Sequence, residues 1–183
     1  MKYLALLRGI NVGGKNKVDM RTLKATFEKA GMSEITTYIN SGNVIFNDGR
    51  RKPPRIVAVL EEAIAADFGL PIKVLIRDLP AIKKVIKALP DTWTTDATMR
   101  CDVMFLWEGF DRKDILQELK IKPEIEDVTY VPGAIIWRVD RSNITKSGMT
   151  KLFGTDLYKG MTIRNSNTVR KLAGMMTGDG SKP

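Results

Sequence analysis

The 183-residue chain spells one order of structural elements twice, and that repetition limits the folds open to it more than any single motif. In the first half Lys2–Leu7 reads as a strand. Residues 19–30 read as a helix with Asp19 as N-cap, Leu23, Phe27 and Ala30 on one face, and Gly31 as the stop. Residues 35–39 and 44–46 predict two short strands around Asn40-Ser41-Gly42-Asn43, because Gly and Asn accept the positive φ that a tight turn demands. After Pro53-Pro54 a helix runs to Phe68, with Ile56, Val57, Leu60, Ile64 and Phe68 at helical spacing; residues 72–76 form a buried strand, and Asp78 caps one further helix.

The second half follows the same order. Residues 102–107 predict a strand, 111–119 a helix begun by Asp111, and 128–131 a strand that turns at Pro132-Gly133 into another over 134–139. A helix over 142–153, a short strand over 161–163 and a helix over 165–175 complete it. The fold class is therefore α+β, with two tandem ferredoxin-like halves, each βαββαβ plus a closing helix. The halves cover residues 1–90 and 100–176, and residues 177–183 form a flexible polar tail. Three echoes in matching order support an internal duplication: Thr37-Tyr38 with Thr129-Tyr130, Phe46 with Trp137, and Ile76-Arg77-Asp78 with Ile163-Arg164-Asn165.

Composition removes several functions. With no histidine and a single cysteine, Cys101, the chain has neither a serine-histidine nor a cysteine-histidine pair, no internal disulfide and few routes to a zinc site. No cofactor or metal is called for. No apolar run approaches the roughly 18 residues that cross a bilayer, and the first residues lead directly into a strand, so a cytoplasmic protein without a membrane partner is expected. The net charge of +9 favours acidic partners, since a positive potential concentrates anions near the surface. Many of the cations nonetheless sit on solvated helix faces, as Lys83, Lys84 and Lys87 do opposite Ile82, Val85 and Ile86.

One segment has no counterpart in the second half. Between the first strand and the first helix lie Arg8-Gly9-Ile10-Asn11-Val12-Gly13-Gly14-Lys15-Asn16-Lys17, where the second half has only Glu108-Gly109-Phe110. In a split βαβ unit the loop after strand one and the hairpin between strands two and three leave the sheet at the same end, which brings this loop to Asn40, Ser41 and Asn43. Gly13 and Gly14 let backbone N–H groups approach a ligand, and Lys15, Lys17 and the N-terminus of the next helix add positive charge. Arg8 offers a bidentate contact to a carboxylate or phosphate, and Asn11, Asn40, Ser41 and Asn43 would fix orientation. The run G-I-N-V-G-G is neither a P-loop nor a dinucleotide fingerprint. The plainer alternative is that the glycines shape a long turn and the asparagines cap it.

The segments LLRGINVGGKNKV (residues 6–18), TYINSGNVIF (37–46) and TIRNSNTVRKL (162–172) resemble the signature segments of a bacterial family known only as domain of unknown function family number 1697. The resemblance spans nearly the whole chain. It implies a cytoplasmic α/β protein with two related ferredoxin-like halves, and brings no activity, substrate or cofactor. Family members usually carry Trp where this chain has Ser166.

The closing segment offers a second candidate anion site, in which Asn165 or Ser166 caps the last helix and Arg164, Arg170 and Lys171 surround it; the plainer reading is a capped amphipathic helix. Lys146-Ser147 is a poor nucleophile and base pair, because adjacent helical residues point apart. Three functions are carried forward, in this order. The first is binding of a small anionic or polar ligand at residues 8–17 and 40–43. The second is nucleic-acid binding, against which Val44-Ile45-Phe46 lacks the aromatic pair that stacks bases. The third is an enzyme of unknown reaction, for which Asp19 is the only carboxylate near the suspected site. The oligomeric state is open.

Overall fold

Strand β1 (Lys2–Leu7) has five consecutive buried residues, Tyr3 to Leu7, so its apolar run serves both faces of a sheet. The computed structural model describes residues 1–178. These form two compact units: Met1–Leu79 with residues 175–178, and Pro80–Gly174.

In the first unit, Tyr3, Ala5 and Leu7 of β1 face Val44 and Phe46 of β3 (Asn43–Asn47) and Val74 and Ile76 of β4 (Val74–Asp78). Two helices cover that face. Leu23 and Phe27 come from α1 (Met20–Lys29), and Ile56, Leu60 and Ile64 from α2 (Pro53–Phe68), each set at the spacing that keeps one helical stripe inward. Phe27 meets Phe46 edge to face at 5.5 Å and 77°. Asp19 caps α1 as its position predicts, and Gly31 follows the last turn at φ +84°. With β2 (Ser33–Tyr38) the sheet runs β2-β3-β1-β4, every neighbouring pair antiparallel. β3 therefore separates two parallel strands, β1 and β2, and the loop after β1 leaves the sheet beside the β2–β3 hairpin.

The second unit holds β5 (Met99–Leu106), β6 (Glu126–Val131), β7 (Ala134–Asp140) and β8 (Met161–Asn165) in the order β6-β7-β5-β8, again antiparallel throughout. The registers of the central pairs coincide, β1 with β3 and β4 as β5 with β7 and β8, whereas β2 carries a bulge between Ser33 and Thr36 that β6 lacks. Tyr3 lies opposite Asp78 as Asp102 lies opposite Asn165. The Leu7 N–H donates to Gly42 O at 2.8 Å as Leu106 N–H does to Gly133 O at 2.9 Å, and Arg8 N–H reaches Lys73 O as Trp107 N–H reaches Gly160 O.

Two predicted helices of the second half are not formed. In place of a helix over 111–119 stand two 3₁₀ turns, Glu108–Phe110 and Lys113–Glu118, because Asp111 does not cap a helix: its carboxylate accepts from Gly133 N–H at 2.7 Å and from the Tyr130 hydroxyl at 2.8 Å. In place of a helix over 142–153 stand the 3₁₀ turns Arg141–Lys146 and Gly148–Lys151, followed by the short α4 (Asp156–Lys159). The cause is Glu126, 3% exposed. Its carboxylate accepts from Lys122 N–H at 2.7 Å, Gly148 N–H at 3.2 Å, Trp137 Nε1 at 3.0 Å and the Ser147 hydroxyl. A buried carboxylate must have its lone pairs satisfied, and here the donors include a backbone N–H that a continuous helix would use. A Cβ on Gly148 would sit 1.7 Å from Lys120 O, so no other residue fits there.

The remaining helices are α3 (Leu79–Ala88) and α5 (Ser166–Thr177). The expected tail over residues 177–183 overlaps the end of α5 at Thr177, and 179–183 lie outside the described residues. Among the described residues no helix is long and apolar enough to cross a membrane.

Candidate functional site

The loop after β1 is a small hairpin of its own. Gly13 and Gly14 both take positive φ (57° and 76°), and Lys15 N–H donates to Val12 O at 3.0 Å, the arrangement of a type I′ turn. One step outward, Asn11 N–H donates to Asn16 O at 3.1 Å, and Asn16 Nδ2 returns to Gly9 O at 2.9 Å. Asn11 and Asn16 themselves sit at φ 54° and 48°, conformations that disfavour most side chains and that Asn tolerates. Residues 11–17 are all exposed, so little apolar burial offsets the ordering of this segment. Hydrogen bonds hold it.

Asn11 is the joint. Its Oδ1 accepts from Val18 N–H at 2.9 Å, and its Nδ2 donates to Val18 O and to Asn40 O, both at 2.9 Å. The last of these bonds ties the loop to the β2–β3 hairpin. Below it, Ile10 is 2% exposed and lies against Gly42, where an added Cβ would come within 2.7 Å of Leu7 Cβ and 2.8 Å of Ile10 Cδ1. On the hairpin side Asn43 is fully buried, its Nδ2 donating to Tyr38 O at 3.1 Å and to Ser41 Oγ at 2.8 Å.

Beside this joint lies an open groove of about 690 Å³, lined by Asn11, Gly14, Lys17, Val18, Asp19, Met20, Asn40 and Phe68. That volume lies within the roughly 300–1,000 Å³ of small-molecule sites. The sequence-predicted residues thus separate by role. Asn11, Gly13, Gly14, Ser41 and Asn43 build the loop and hairpin through the bonds just given, Gly13 and Gly14 as the turn. Lys17 and Asn40 line the groove, and among the described residues neither the Lys17 ammonium nor the Asn40 side-chain amide has a protein partner. Lys15 is exposed and Arg8 half-buried at the end of β1, and neither lines the groove. Phe68 was legible only as a helix-face residue and Met20 only as lying within a predicted helix; Phe68 reaches the groove because α2 ends there, at Gly69 with φ 65°.

Asp19 changes the electrostatics of this end. Its Oδ1 accepts from Thr22 N–H at 2.8 Å and from Thr22 Oγ1 at 2.9 Å. The Thr22 backbone bond first, and its hydroxyl second, hold the Asp19 carboxyl below the ordinary aspartate value. The partial positive charge at the start of α1 therefore already faces an ionised carboxylate of the same chain.

The second candidate, at Arg164 and Asn165, is a capped helix. Asn165 Oδ1 accepts from Thr168 N–H at 2.8 Å, the N-cap geometry. Arg164 is 8% exposed, its Nη1 donating to Thr162 Oγ1 and Ile163 O, and burial lowers its pKa to about 10. Arg170 donates to Trp93 O at 2.9 Å and Pro90 O at 2.6 Å, strapping α5 to the 90–93 segment. Cys101 is buried, and burial pushes its thiol up to about 11, outside the range of a reactive thiolate.

The family described as protein of unknown function (DUF1697) matches residues 1–137. Among solved structures the chain resembles the conserved bacterial protein SP0830 from Streptococcus pneumoniae, with 30% sequence identity and a TM-score of 0.81 over 96% of this chain and 98% of that one. No curated protein matches it.

Proposed function

The chain belongs to the protein family of unknown function DUF1697, and on that premise we propose that it binds a small polar or anionic ligand in the groove between the residue 8–17 loop and the β2–β3 hairpin. The observation that carries this reading is the pairing of a hydrogen-bonded loop with two polar heads, Lys17 and Asn40, that no described protein group engages. A fixed loop lowers the ordering cost of binding, which is the advantage of a preformed site. Lys17 supplies charge and Asn40 a donor and an acceptor, while Met20 and Phe68 give the groove an apolar wall.

The same reading takes each unit as a ferredoxin-like half descended from one duplicated ancestor, because strand order and the register of the central pairs agree between them. One copy then kept a plain connection and the other acquired the loop. Nucleic-acid binding and catalysis have no comparable support: the groove offers a single cation, and its one carboxylate is a helix cap.

A thermal-shift screen tests the proposal, with inorganic phosphate, small carboxylates, amino acids and mononucleotides added to the wild type and to Lys17→Ala. At least one probe should raise the wild-type Tm in a concentration-dependent way and raise that of Lys17→Ala much less. Equal shifts in both proteins, or none in either, would remove the groove as a binding site.

A further inference from the structure

Resting on the ligand-binding reading above, we infer that the groove takes a free α-amino acid with an apolar side chain, its carboxylate on Lys17, its ammonium on Asp19 and its side chain against Met20 and Phe68.

The charge of the groove differs in kind from that of the protein. The chain carries +9 overall, yet the groove lining holds one ammonium, Lys17, and one carboxylate, Asp19, with no other charged residue. A phosphate dianion would meet one cation and a repelling carboxylate, and the helix N-terminus that often holds phosphate is occupied by Asp19. A ligand carrying one charge of each sign meets two complementary partners.

The spacing suits such a ligand. Lys17, Val18 and Asp19 alternate exposed, buried, exposed, and Asp19 is extended at φ −72° and ψ 129°. In extended chain, residues two apart project from one side with Cα atoms about 6.5–7 Å apart. Lys17 and Asp19 thus rise from one side of the chain, where the two charges of a single ligand meet both. Asp19 keeps capacity for a donor, since both Thr22 bonds fall on Oδ1. Asn40, also lining the groove, supplies an acceptor for the ligand ammonium or a donor to its carboxylate. Beyond the polar pair, Met20 and Phe68 are half-buried side chains whose exposed portions leave the wall apolar. Glycine would fill the charged positions and leave that wall wet.

Calorimetric titration of the full chain decides the matter, using L-leucine, L-phenylalanine, glycine, 4-methylpentanoate (leucine without its ammonium), 3-methylbutylamine (leucine without its carboxylate) and inorganic phosphate. Each probe is run on the wild type, Lys17→Met and Asp19→Asn; the last keeps the helix cap, because Asn serves as well as Asp there. The expected result is that leucine or phenylalanine binds at least tenfold tighter than glycine and than either one-charge analogue. Both variants should weaken the amino acid tenfold or more. The sign of the Asp19→Asn effect separates this inference from the broader one. If 4-methylpentanoate or phosphate binds as well as leucine and binds more tightly to Asp19→Asn, the amino-acid assignment falls and anion binding at Lys17 stands. If no probe binds the wild type, both fall.

Discussion

In the first unit the chain leaves β1 through residues 8–17, and Asn11 ties that loop to the hairpin at Asn40 O; in the second it leaves β5 through Glu108–Phe110, and Asp111 ties the connection to the hairpin at Gly133 N–H and Tyr130. Both ties join the same two connections of the same strand order. What fills the corner differs. In the second unit the Phe110 ring packs on Gly160, within 2.5 Å of where a Cβ would stand. In the first, Ile10 packs beneath Gly42 and the longer loop passes over it, leaving the groove at its side. One topology thus yields a closed corner or an open one according to whether the connection ends in an aromatic plug or rises into a hydrogen-bonded hairpin.

The largest test of this contrast is at the two glycines. Gly42→Ala would put a methyl against Leu7 and Ile10 at φ +73°, adding left-handed strain to overpacking, and should destabilise by about 3 kcal/mol. Calorimetric melting would show that as a Tm loss of about 6–12 °C for a domain pair of this size. Gly160→Ala meets the Phe110 ring first, without positive φ, and should cost about 1–3 kcal/mol. Adding Phe110→Ala should recover part of that loss, whereas no second substitution at Ile10 should rescue Gly42→Ala fully. Additive effects of Gly160→Ala and Phe110→Ala would break the account of the plugged corner.

Next in size are the ties. Asn11→Ala removes three side-chain hydrogen bonds and places Ala at φ 54°, so it should cost about 1–2 kcal/mol in urea melts and, by freeing the loop, lower ligand affinity tenfold or more. Asp111→Ala should cost about the same in stability and leave binding unchanged. A binding loss in Asp111→Ala equal to that in Asn11→Ala would erase the functional difference between the corners.

The strands were legible in the sequence because burial on one or both faces writes itself as apolar runs and alternation; Lys2–Leu7 needed no revision. Asp19 was legible as a cap for the same local reason. The groove was legible only in outline: the loop and hairpin stood out by their Gly, Asn and Lys content, but which asparagines hold the loop and which leave a side chain free in the groove depends on bonds between residues distant in sequence, such as Asn11 with Asn40. The missing helices had a similar cause. Glu126 lies before the strand predicted over 128–131 and carries no signal of its own until Trp137, Ser147 and Gly148 converge on it, and nothing local to residues 142–153 announces that its backbone is held from elsewhere.

The smallest effect concerns pH and has opposite sign in the two units. Burial raises the Asp48 pKa, but hydrogen bonds from Arg50 N–H and Arg51 N–H and the Arg51 guanidinium outweigh it, so the net shift is downward. Its stabilising contribution is present above the ordinary carboxylate value near 4 and is lost as pH falls through its lowered one. For Asp102, burial dominates over the nearby Arg100, and the pKa is raised. The native state then binds the extra proton first, so stability contributed at this site grows as pH falls toward about 4 from above. Comparing Asp48→Asn and Asp102→Asn with the wild type in chemical melts at pH 7, 5 and 3 reads both. The stability gap to Asp48→Asn should narrow only at the lowest pH, and the wild type should gain on Asp102→Asn between pH 7 and 5. Parallel trends would contradict the difference.

The most direct measurement is a two-dimensional amide NMR titration of the full chain with L-leucine. Shifts are expected at Gly13, Gly14, Lys17 to Met20, Asn40 and Phe68, with the Glu108, Phe110 and Gly133 signals unmoved. Shifts spread over both corners, or none at all at saturating ligand, would contradict a binding groove confined to the loop that only the first unit possesses.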